Sequence, residues 1–275
     1  MQRTELATRT PHGTQITIAK PDPSRHPSDA DLRGYDRAQS FAKMIAAKVA
    51  ERVEVGMNER EATAVTHDVF RAFGVRHHWH MPLVGVAEGS TKFTTAGRFL
   101  KSLLGADRRV LKQGDILFLD IAPFFEGYPS DFTLTQLYGE NDRLRQMIDC
   151  ARTLTRRVST QLREDMSAGS AWAWIKEEIE STCPYELHQF PISAVAHRFV
   201  KLPPSWPLFR EVGTVHLLLM GAPLMLPSST TSMRGLWVIE PLLVDRELDR
   251  AAKTEEIVFV TGSETLIFGE QPFVS

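Results

Sequence analysis

Two aspartates, Asp120 and Asp131, lie on either side of a short turn in the stretch GDILFLDIAPFFEGYPSDFTLT. This stretch predicts an antiparallel hairpin with arms at residues 116–122 and 130–137, turning at 125–127, in which Asp120 lies opposite Asp131. Like charges directly opposite each other destabilise a sheet, and burial raises the pKa of a carboxylate pair. A divalent cation neutralises such a pair and binds carboxylate oxygens. The hairpin therefore predicts a metal site built on a sheet.

Four other segments have apolar residues at helical spacing. The predicted helices are residues 29–53, 58–73, 142–162 and 167–181, with a short helical piece near 98–104. Asn58 and Glu61 form a capping-box pattern at the start of the second helix, and Gly74 follows its end. The predicted strands, besides the hairpin, are residues 83–87, 192–199, 214–219, 235–244, 256–260 and 265–268. The order of two helices, strands, two helices, strands predicts an α+β fold with an antiparallel sheet, helices on one face, and a duplicated unit.

The first 28 residues differ in composition from the rest of the chain. Residues 1–28 are rich in Pro, Thr, Ser and charged side chains, which predicts an extended N-terminal arm without a core of its own. The arm is either a flexible tail or a partner-binding segment. The remaining residues, 29–275, are long enough for one domain with a substantial core.

Composition excludes several classes of function. A formal charge of −2, from 32 basic and 34 acidic residues, gives no basic surface for nucleic acid. The longest strongly apolar segment, 216–227, is too short to span a bilayer and contains Gly221 and Pro223. No signal-peptide pattern opens the sequence, and two cysteines can form at most one disulfide, which is too few for a disulfide framework. We therefore expect a cytoplasmic protein without membrane segments, in which Cys150 and Cys183 serve in packing.

Three segments follow the aspartate segment in order: SAVAHRFVKLP supplies a histidine, LWVIEPLLV a glutamate within an apolar strand, and KTEEIVFVTGSE a final glutamate. Together the four segments resemble the metal-ligand regions of the pita-bread metallohydrolases, which include methionine aminopeptidases, Xaa-Pro peptidases and creatinase, and LWVIEPLLV matches the I-E-P motif of that family. The resemblance covers nearly the whole chain, and its short single-domain Xaa-Pro peptidase-like members are the most similar. It implies a pita-bread fold of two pseudo-symmetric halves around a central metal site.

The resemblance also implies a set of metal ligands. These residues are Asp120, Asp131, His197, Glu240 and Glu255. In the family arrangement, Asp131 and Glu255 bridge two ions and the others bind individual ions. Four carboxylates and one imidazole suit divalent ions of intermediate hardness, so Mn, Co, Fe and Zn all fit. Taken singly, each residue also has an ordinary structural interpretation, such as a core histidine or a solvated glutamate.

The chain departs from the family pattern around the ligands. The histidine motif is usually glycine-rich, whereas Arg198 and Phe199 follow His197, and Pro204 replaces a further histidine that binds the scissile carbonyl. The upstream catalytic histidine of the peptidases is also missing from its usual position. We assign that role to His80, in the sequence RHHWHMP, and the alternative is that this cluster is a surface or packing feature. The proline-rich loop at 203–207 is either a lid or a rigid connector.

Three functions follow from this resemblance. The first is a di-metal hydrolase of a C–N bond, acting as an aminopeptidase or Xaa-Pro peptidase on a short peptide or an amide-like small molecule. The second is a metal-dependent lyase or another non-peptidase enzyme, because the missing histidines weaken carbonyl polarisation. The third is a pseudoenzyme that keeps the fold as a binding module. The complete set of ligand types favours an enzyme, and we expect a homodimer.

Overall fold

The computed structural model describes residues 27–87, 109–188, 195–199, 224–262 and 264–273, and the backbone of 6–9 and 15–18. In the N-terminal arm, strand β1 (Leu6–Arg9) pairs antiparallel with strand β2 (Gln15–Ile18). Four predicted features lie wholly or partly outside the described residues: the helical piece at 98–104, the start of the strand at 192–199, the loop at 203–207 and the strand at 214–219.

The first pair of helices follows the arm. It consists of α1 (Asp29–Arg52) and α2 (Glu59–Ala72). The predicted capping box is confirmed, because the Asn58 side chain accepts a hydrogen bond from the Glu61 N–H at 3.1 Å and the Glu61 carboxylate accepts one from the Asn58 N–H at 2.8 Å. Gly74, with a φ of +70°, follows the end of α2 and allows the chain to turn away.

The second pair of helices lies midway along the chain. It consists of α3 (Asp142–Gln161) and α4 (Ala168–Thr182), and the side chains of Asn141 and Ser167 cap their N-termini. Both helices agree with their predicted bounds to within a residue. No helix in the described part of the chain is long and apolar enough to cross a membrane.

A disulfide joins the second pair of helices. Cys150 of α3 and Cys183, directly after α4, are bonded, with their Cα atoms 6.2 Å apart. The sequence allows at most one disulfide and favours packing as the role of these cysteines; the structure instead places them in that one bond, because the packing of α3 against α4 brings together two side chains that are distant in sequence. Disulfides are rare in the reducing cytosol. The cysteines therefore give no support to the predicted cytoplasmic location.

The first sheet contains the predicted aspartate hairpin. Its strands are β3 (Leu83–Val86), β4 (Asp115–Ile121) and β7 (Phe132–Tyr138), in the order β3-β4-β7 with all pairs antiparallel. The tip of the hairpin is a separate pair of two-residue strands, β5 (Phe124–Phe125) and β6 (Tyr128–Pro129). The hairpin itself is thus confirmed.

The register of this hairpin differs from the prediction by two residues. Asp120 lies opposite Thr133 and not opposite Asp131. The turn is the cause: Glu126 and Gly127 have φ values of +50° and +82°, which makes them the two loop residues. Two-residue hairpin loops of type I′ need positive φ at both positions. Because side chains alternate with a period of two, this shift keeps both aspartates on the same face of the sheet.

The second half of the chain forms two further antiparallel sheets. The larger has the order β14-β13-β10-β9, with β9 (Ala196–Arg198), β10 (Gly235–Ile239), β13 (Glu256–Thr261) and β14 (Glu264–Ile267). The smaller has the order β12-β11-β8, with β8 (Glu186–Leu187), β11 (Leu243–Asp245) and β12 (Arg250–Ala252).

The predicted single strand at 235–244 is in fact two strands, β10 and β11, in different sheets. The chain leaves the larger sheet at Glu240, whose N–H donates a hydrogen bond to the Val195 carbonyl at 2.8 Å. Pro241 follows and has no N–H with which to continue a ladder. An apolar run that looks continuous in sequence is therefore divided by its proline.

Each helix pair packs on one face of a sheet. Ile45 and Val69 of the first pair share a core with Leu117 and Leu119 of β4. Residues of the second pair share another core with the larger sheet; they include Met147, Ile175, Trp237 and Val258. This arrangement confirms the predicted α+β fold, with antiparallel sheets and helices on one face. The alternate residues of the strands point to the opposite face, where the site lies.

Candidate metal centre

Asp120 and Asp131 are both almost fully buried, at 1% and 2% exposure. Asp120 belongs to β4, and Asp131 occupies the step between β6 and β7. Gln39 of α1 holds the backbone of Asp131 with two hydrogen bonds: its side-chain amide donates to the Asp131 carbonyl at 2.7 Å and accepts from the Asp131 N–H at 3.2 Å. The polar pair is therefore held rigidly at the edge of the first hydrophobic core.

His80 lies directly against this pair. Its Nε2 is 3.3 Å from Asp120 Oδ1 and 3.3 Å from Asp131 Oδ1, and its Nδ1 is 2.8 Å from the Met81 carbonyl. The carbonyl requires a proton on Nδ1, which turns Nε2 toward the carboxylates. Burial lowers the pKa of His80, but Asp120 and Asp131 outweigh burial and raise it to about 9. The sequence-based choice of His80 among the three nearby histidines thus agrees with its position.

His197 approaches Asp131 from the other side. Its Nε2 is 3.4 Å from Asp131 Oδ2 and 3.7 Å from Glu240 Oε1, while its Nδ1 is 3.0 Å from the Arg198 carbonyl. Burial lowers the pKa of His197, but the hydrogen bond to Asp131 and the charge of Glu240 raise it above its ordinary value. Asp131 therefore lies between two imidazoles, one at each carboxylate oxygen.

The bulky residues after His197 do not block this arrangement. The Arg198 guanidinium stacks over the Trp237 ring at 4.7 Å and donates to the Ser232 carbonyl at 2.9 Å. Trp237 belongs to the core on the helix side of the sheet. Phe199 packs instead with Tyr35 and Trp79. The sequence AHRFV therefore orients His197 toward the site without glycine residues around it.

Glu240 and Glu255 complete the group of predicted ligands. Glu240 directly follows β10 and Glu255 directly precedes β13, which is the neighbouring strand. Burial, and after it the negative charge of Asp131, raises the pKa of Glu255 well above its ordinary value. Its Oε2 is buried and has no hydrogen-bond partner among the described residues. A carboxylate this deeply buried needs either a proton or a nearby cation.

Sequence reasoning missed one residue of the site, Lys253. Its Nζ lies 2.7 Å from Glu240 Oε2 and 3.3 Å from Asp120 Oδ2, and it also contacts Glu255 Oε1. The side chain is 4% exposed. In sequence, a lysine beside two glutamates looks like a solvated charge cluster. The apolar pair Ala251 and Ala252, directly before Lys253, is the one sequence signal against that interpretation.

The site thus brings together all five predicted ligands and His80. The donor atoms of His80, Asp120 and Asp131 all lie within 4.8 Å of one another, which makes them a group able to hold a metal ion. Four carboxylates thus face one ammonium and two imidazoles. Carboxylates and imidazoles are ligands for divalent metals, so the residues present fit such an ion.

The model of metallopeptidase family M24 matches residues 33–203. The chain belongs to this family. A curated relative, the mitochondrial methionine aminopeptidase 1D of Danio rerio, is 26% identical over 133 residues, which are 48% of this chain and 38% of the relative. The match thus spans less than half the length of that relative. Membership of the M24 family agrees with the predicted metallopeptidase-like hydrolase and with the family resemblance in the sequence.

Solved structures of M24-type peptidases share the fold. The prolidase from Pyrococcus furiosus superposes with a TM-score of 0.67 at 16% identity, covering 89% of this chain and 65% of its own. The X-Pro aminopeptidase from Thermotoga maritima superposes with a TM-score of 0.69 at 15% identity, covering 90% of this chain and 63% of its own. The methionine aminopeptidase from Thermotoga maritima superposes with a TM-score of 0.64 at 15% identity, covering 90% of this chain and 99% of its own. The predicted pita-bread fold is confirmed, and the chain spans less than two thirds of the first two proteins.

Proposed function

We propose that this chain is a metal-dependent hydrolase that cleaves a C–N bond in a short peptide or an amide-like small molecule. The observation that carries the proposal is the group of four carboxylates and two imidazoles in the protein interior, drawn from both halves of the fold. Membership of a metallopeptidase family supports it. The relatives named prolidase, X-Pro aminopeptidase and methionine aminopeptidase suggest Xaa-Pro and Met-Xaa peptides as substrates.

The residues that would hold divalent metal are the predicted ligands. They are Asp120, Asp131, His197, Glu240 and Glu255. When bound, such an ion supplies a Lewis acid and activates water at neutral pH. The sequence predicts two ions, of Mn, Co, Fe or Zn, and two ions require all five ligands. Glu240 and Glu255, however, already contact the Lys253 ammonium, which bears directly on the number of ions.

His80 is the proposed catalytic proton carrier. Hydrolysis of a C–N bond adds water to the carbonyl carbon, and the departing nitrogen needs a proton. Because the Met81 carbonyl holds the proton on His80 Nδ1, Nε2 is the atom that exchanges a proton with the site. The raised pKa keeps that atom protonated near neutral pH in the metal-free protein. We propose that Nε2 gives its proton to the departing amine.

Turnover of a defined panel tests the function. The protein is loaded separately with Mn²⁺, Co²⁺, Fe²⁺ and Zn²⁺ and given Xaa-Pro dipeptides, Met-Xaa dipeptides and simple amides, and mass spectrometry follows the products. We expect slow, metal-dependent release of amine and the incorporation of one ¹⁸O atom into the acid product from labelled water. Asp131→Asn should abolish turnover, whereas Asp149→Asn, at a side chain that is 63% exposed, should leave it unchanged.

Other outcomes separate the alternatives. An unsaturated product without ¹⁸O would contradict the proposed hydrolysis and support the lyase reaction. Metal binding without turnover of any of these substrates would contradict the proposed hydrolysis and favour the binding module. Turnover that persists in Asp131→Asn would contradict the assignment of the site.

We also propose that the protein is a homodimer and cytoplasmic, on the family resemblance and the sequence alone. Light scattering after size-exclusion chromatography tests the first. A monomeric mass at micromolar concentration would contradict it. Fractionation of the native cells tests the second, and recovery of the protein outside the cytoplasm would contradict it.

A further inference from the structure

The ammonium of Lys253 lies inside the candidate metal centre, in contact with three of its four carboxylates. This ammonium has three donors and no acceptor, and three carboxylates from three separate chain segments surround it: Asp120 on β4, Glu240 after β10 and Glu255 before β13. Lys253 Nζ lies 2.7 Å from Glu240 Oε2 and 3.3 Å from Asp120 Oδ2, which are ordinary hydrogen-bond and ion-pair distances. Each carboxylate therefore gives one oxygen to the lysine.

The lysine cannot readily leave this position. Thr135 of β7 binds its backbone on both sides, because its hydroxyl donates to the Lys253 carbonyl at 3.0 Å and accepts from the Lys253 N–H at 3.1 Å. The side chain is 4% exposed, so it does not reach water without a change in the surrounding strands. Separating the ammonium from its carboxylates would leave buried charges without compensation, which keeps it in place.

The two sides of the group differ in what they offer a metal. Around Asp131, the neighbours are two imidazoles, with His197 Nε2 3.4 Å and His80 Nε2 3.3 Å from its oxygens, and a neutral imidazole, unlike an ammonium, has a nitrogen lone pair that binds a metal. Donor atoms bound to one tetrahedral ion at about 2.1 Å lie about 3.4 Å apart, so these spacings suit an ion. Around Glu240 and Glu255, the ammonium already lies at close contact. A divalent ion there would share its carboxylates with a like charge in a poorly solvated site.

We propose that the Lys253 ammonium takes the place of one of the two metal ions, so that this chain binds a single divalent ion next to Asp131. The inference rests on the metal site of the proposed function. Asp131, Asp120 and His197 hold that ion, while Lys253 neutralises Glu240 and Glu255. Lys253 is thus a positioning residue, which keeps these two carboxylates in place and away from a second metal.

Metal stoichiometry and electron paramagnetic resonance test the inference. Wild-type protein is stripped with a chelator, reloaded with Mn²⁺, desalted and measured for bound metal and for its spectrum. We expect one ion per chain and the six-line signal of an isolated Mn²⁺ ion. Lys253→Met removes the charge with little change in volume and should bind a second ion, with the broadened signal of a coupled pair. Lys253→Gln provides a second neutral variant.

The matched control is Lys43→Met. Lys43 forms a comparable ion pair at 2.7 Å with Glu256, the residue next to Glu255, and its side chain is 24% exposed. This variant should still bind one ion. Two ions in wild-type protein would overturn the inference and leave the proposed function intact. One ion in both neutral Lys253 variants would also overturn it.

Two further outcomes are decisive. No bound metal in wild-type protein would contradict the proposed function itself, together with the inference built on it. If neither Lys253 variant folds, as judged by circular dichroism, the wild-type spectrum decides alone: an isolated ion supports the inference and a coupled pair overturns it.

Discussion

At the scale of single residues, the site is organised around Asp131. Its two carboxylate oxygens face His80 and His197, and Gln39 holds its backbone. Burial raises the pKa of Asp131, but hydrogen bonds from His197 and His80 outweigh burial and lower it. Asp131 is therefore ionised at neutral pH and ready to bind a cation.

Replacement of this carboxylate should remove the metal. Asp131→Asn keeps the shape of the side chain but loses the negative charge between the two imidazoles. Loss of even an indirect partner of a metal ligand costs about 10–100-fold in affinity, and we expect at least about 100-fold for Asp131. Isothermal titration with Mn²⁺ measures this loss. Affinity within threefold of wild type would contradict the central role of Asp131.

Replacement of His80 should lower turnover more than it lowers metal binding. If it carries the proton, His80→Gln loses turnover at least about 100-fold, since general acid catalysis contributes about 10²–10⁴-fold, and keeps its metal. Turnover and bound metal are measured on the same sample. Loss of metal together with activity would show instead that His80 is a ligand.

The pH dependence of stability gives an independent test of His80. In metal-free protein its pKa is about 9, compared with an ordinary value of 6.5. Because the pKa is raised, the stabilisation is complete below pH 6.5 and is lost as the pH rises through about 9. The gap corresponds to about 3 kcal/mol. Between pH 6 and pH 9.5, the free energy of unfolding measured in urea should fall further for wild type than for His80→Gln. An equal fall in both proteins would contradict the raised pKa of His80.

At the scale of single elements, local chemistry determined what was predictable. The four helices follow from apolar periodicity and from capping residues such as Asn58, which act within one turn. The short strands β8 and β12 escaped prediction because two or three residues carry no periodic signal. The hairpin register was wrong because no glycine or asparagine occupies the first loop position, Glu126.

That loop position offers a stabilising substitution. Glu126 has a φ of +50°, which a non-glycine residue rarely adopts, whereas asparagine tolerates it. Its ion pair with Arg37 is half exposed on both sides and contributes little. Glu126→Asn should raise the free energy of unfolding by about 0.5–1 kcal/mol.

Gly127 provides the matched comparison within the same turn. Its φ is +82°, so Gly127→Ala should lower the free energy of unfolding by about 1 kcal/mol. Urea unfolding measures both variants. A destabilising Glu126→Asn would contradict the type I′ assignment.

At the scale of the whole molecule, two helix-and-sheet halves meet where the metal centre lies. Asp120 and Asp131 come from the first half and His197, Glu240 and Glu255 from the second. Their order in sequence, through its resemblance to a family, was enough to place them together. Lys253 was not predictable in this way, because its role depends on three carboxylates that only folding brings around it.

The disulfide should stabilise the second half. Cys150 and Cys183 are separated by 33 residues in sequence. The entropy of closing a loop of this length corresponds to about 3–4 kcal/mol. We expect the protein purified under oxidising conditions to lose about this much stability when reduced, while the Cys150→Ala, Cys183→Ala double variant does not respond to reductant. Two freely alkylated thiols in the native, unreduced protein would contradict the bond.

The most direct test of the metal centre is anomalous diffraction from crystals of Mn²⁺-loaded protein. We predict one anomalous peak, bound by Asp131 together with Asp120 and His197, with the Lys253 ammonium between Glu240 and Glu255. The absence of a peak at Asp131, or a peak only elsewhere in the molecule, would contradict the account.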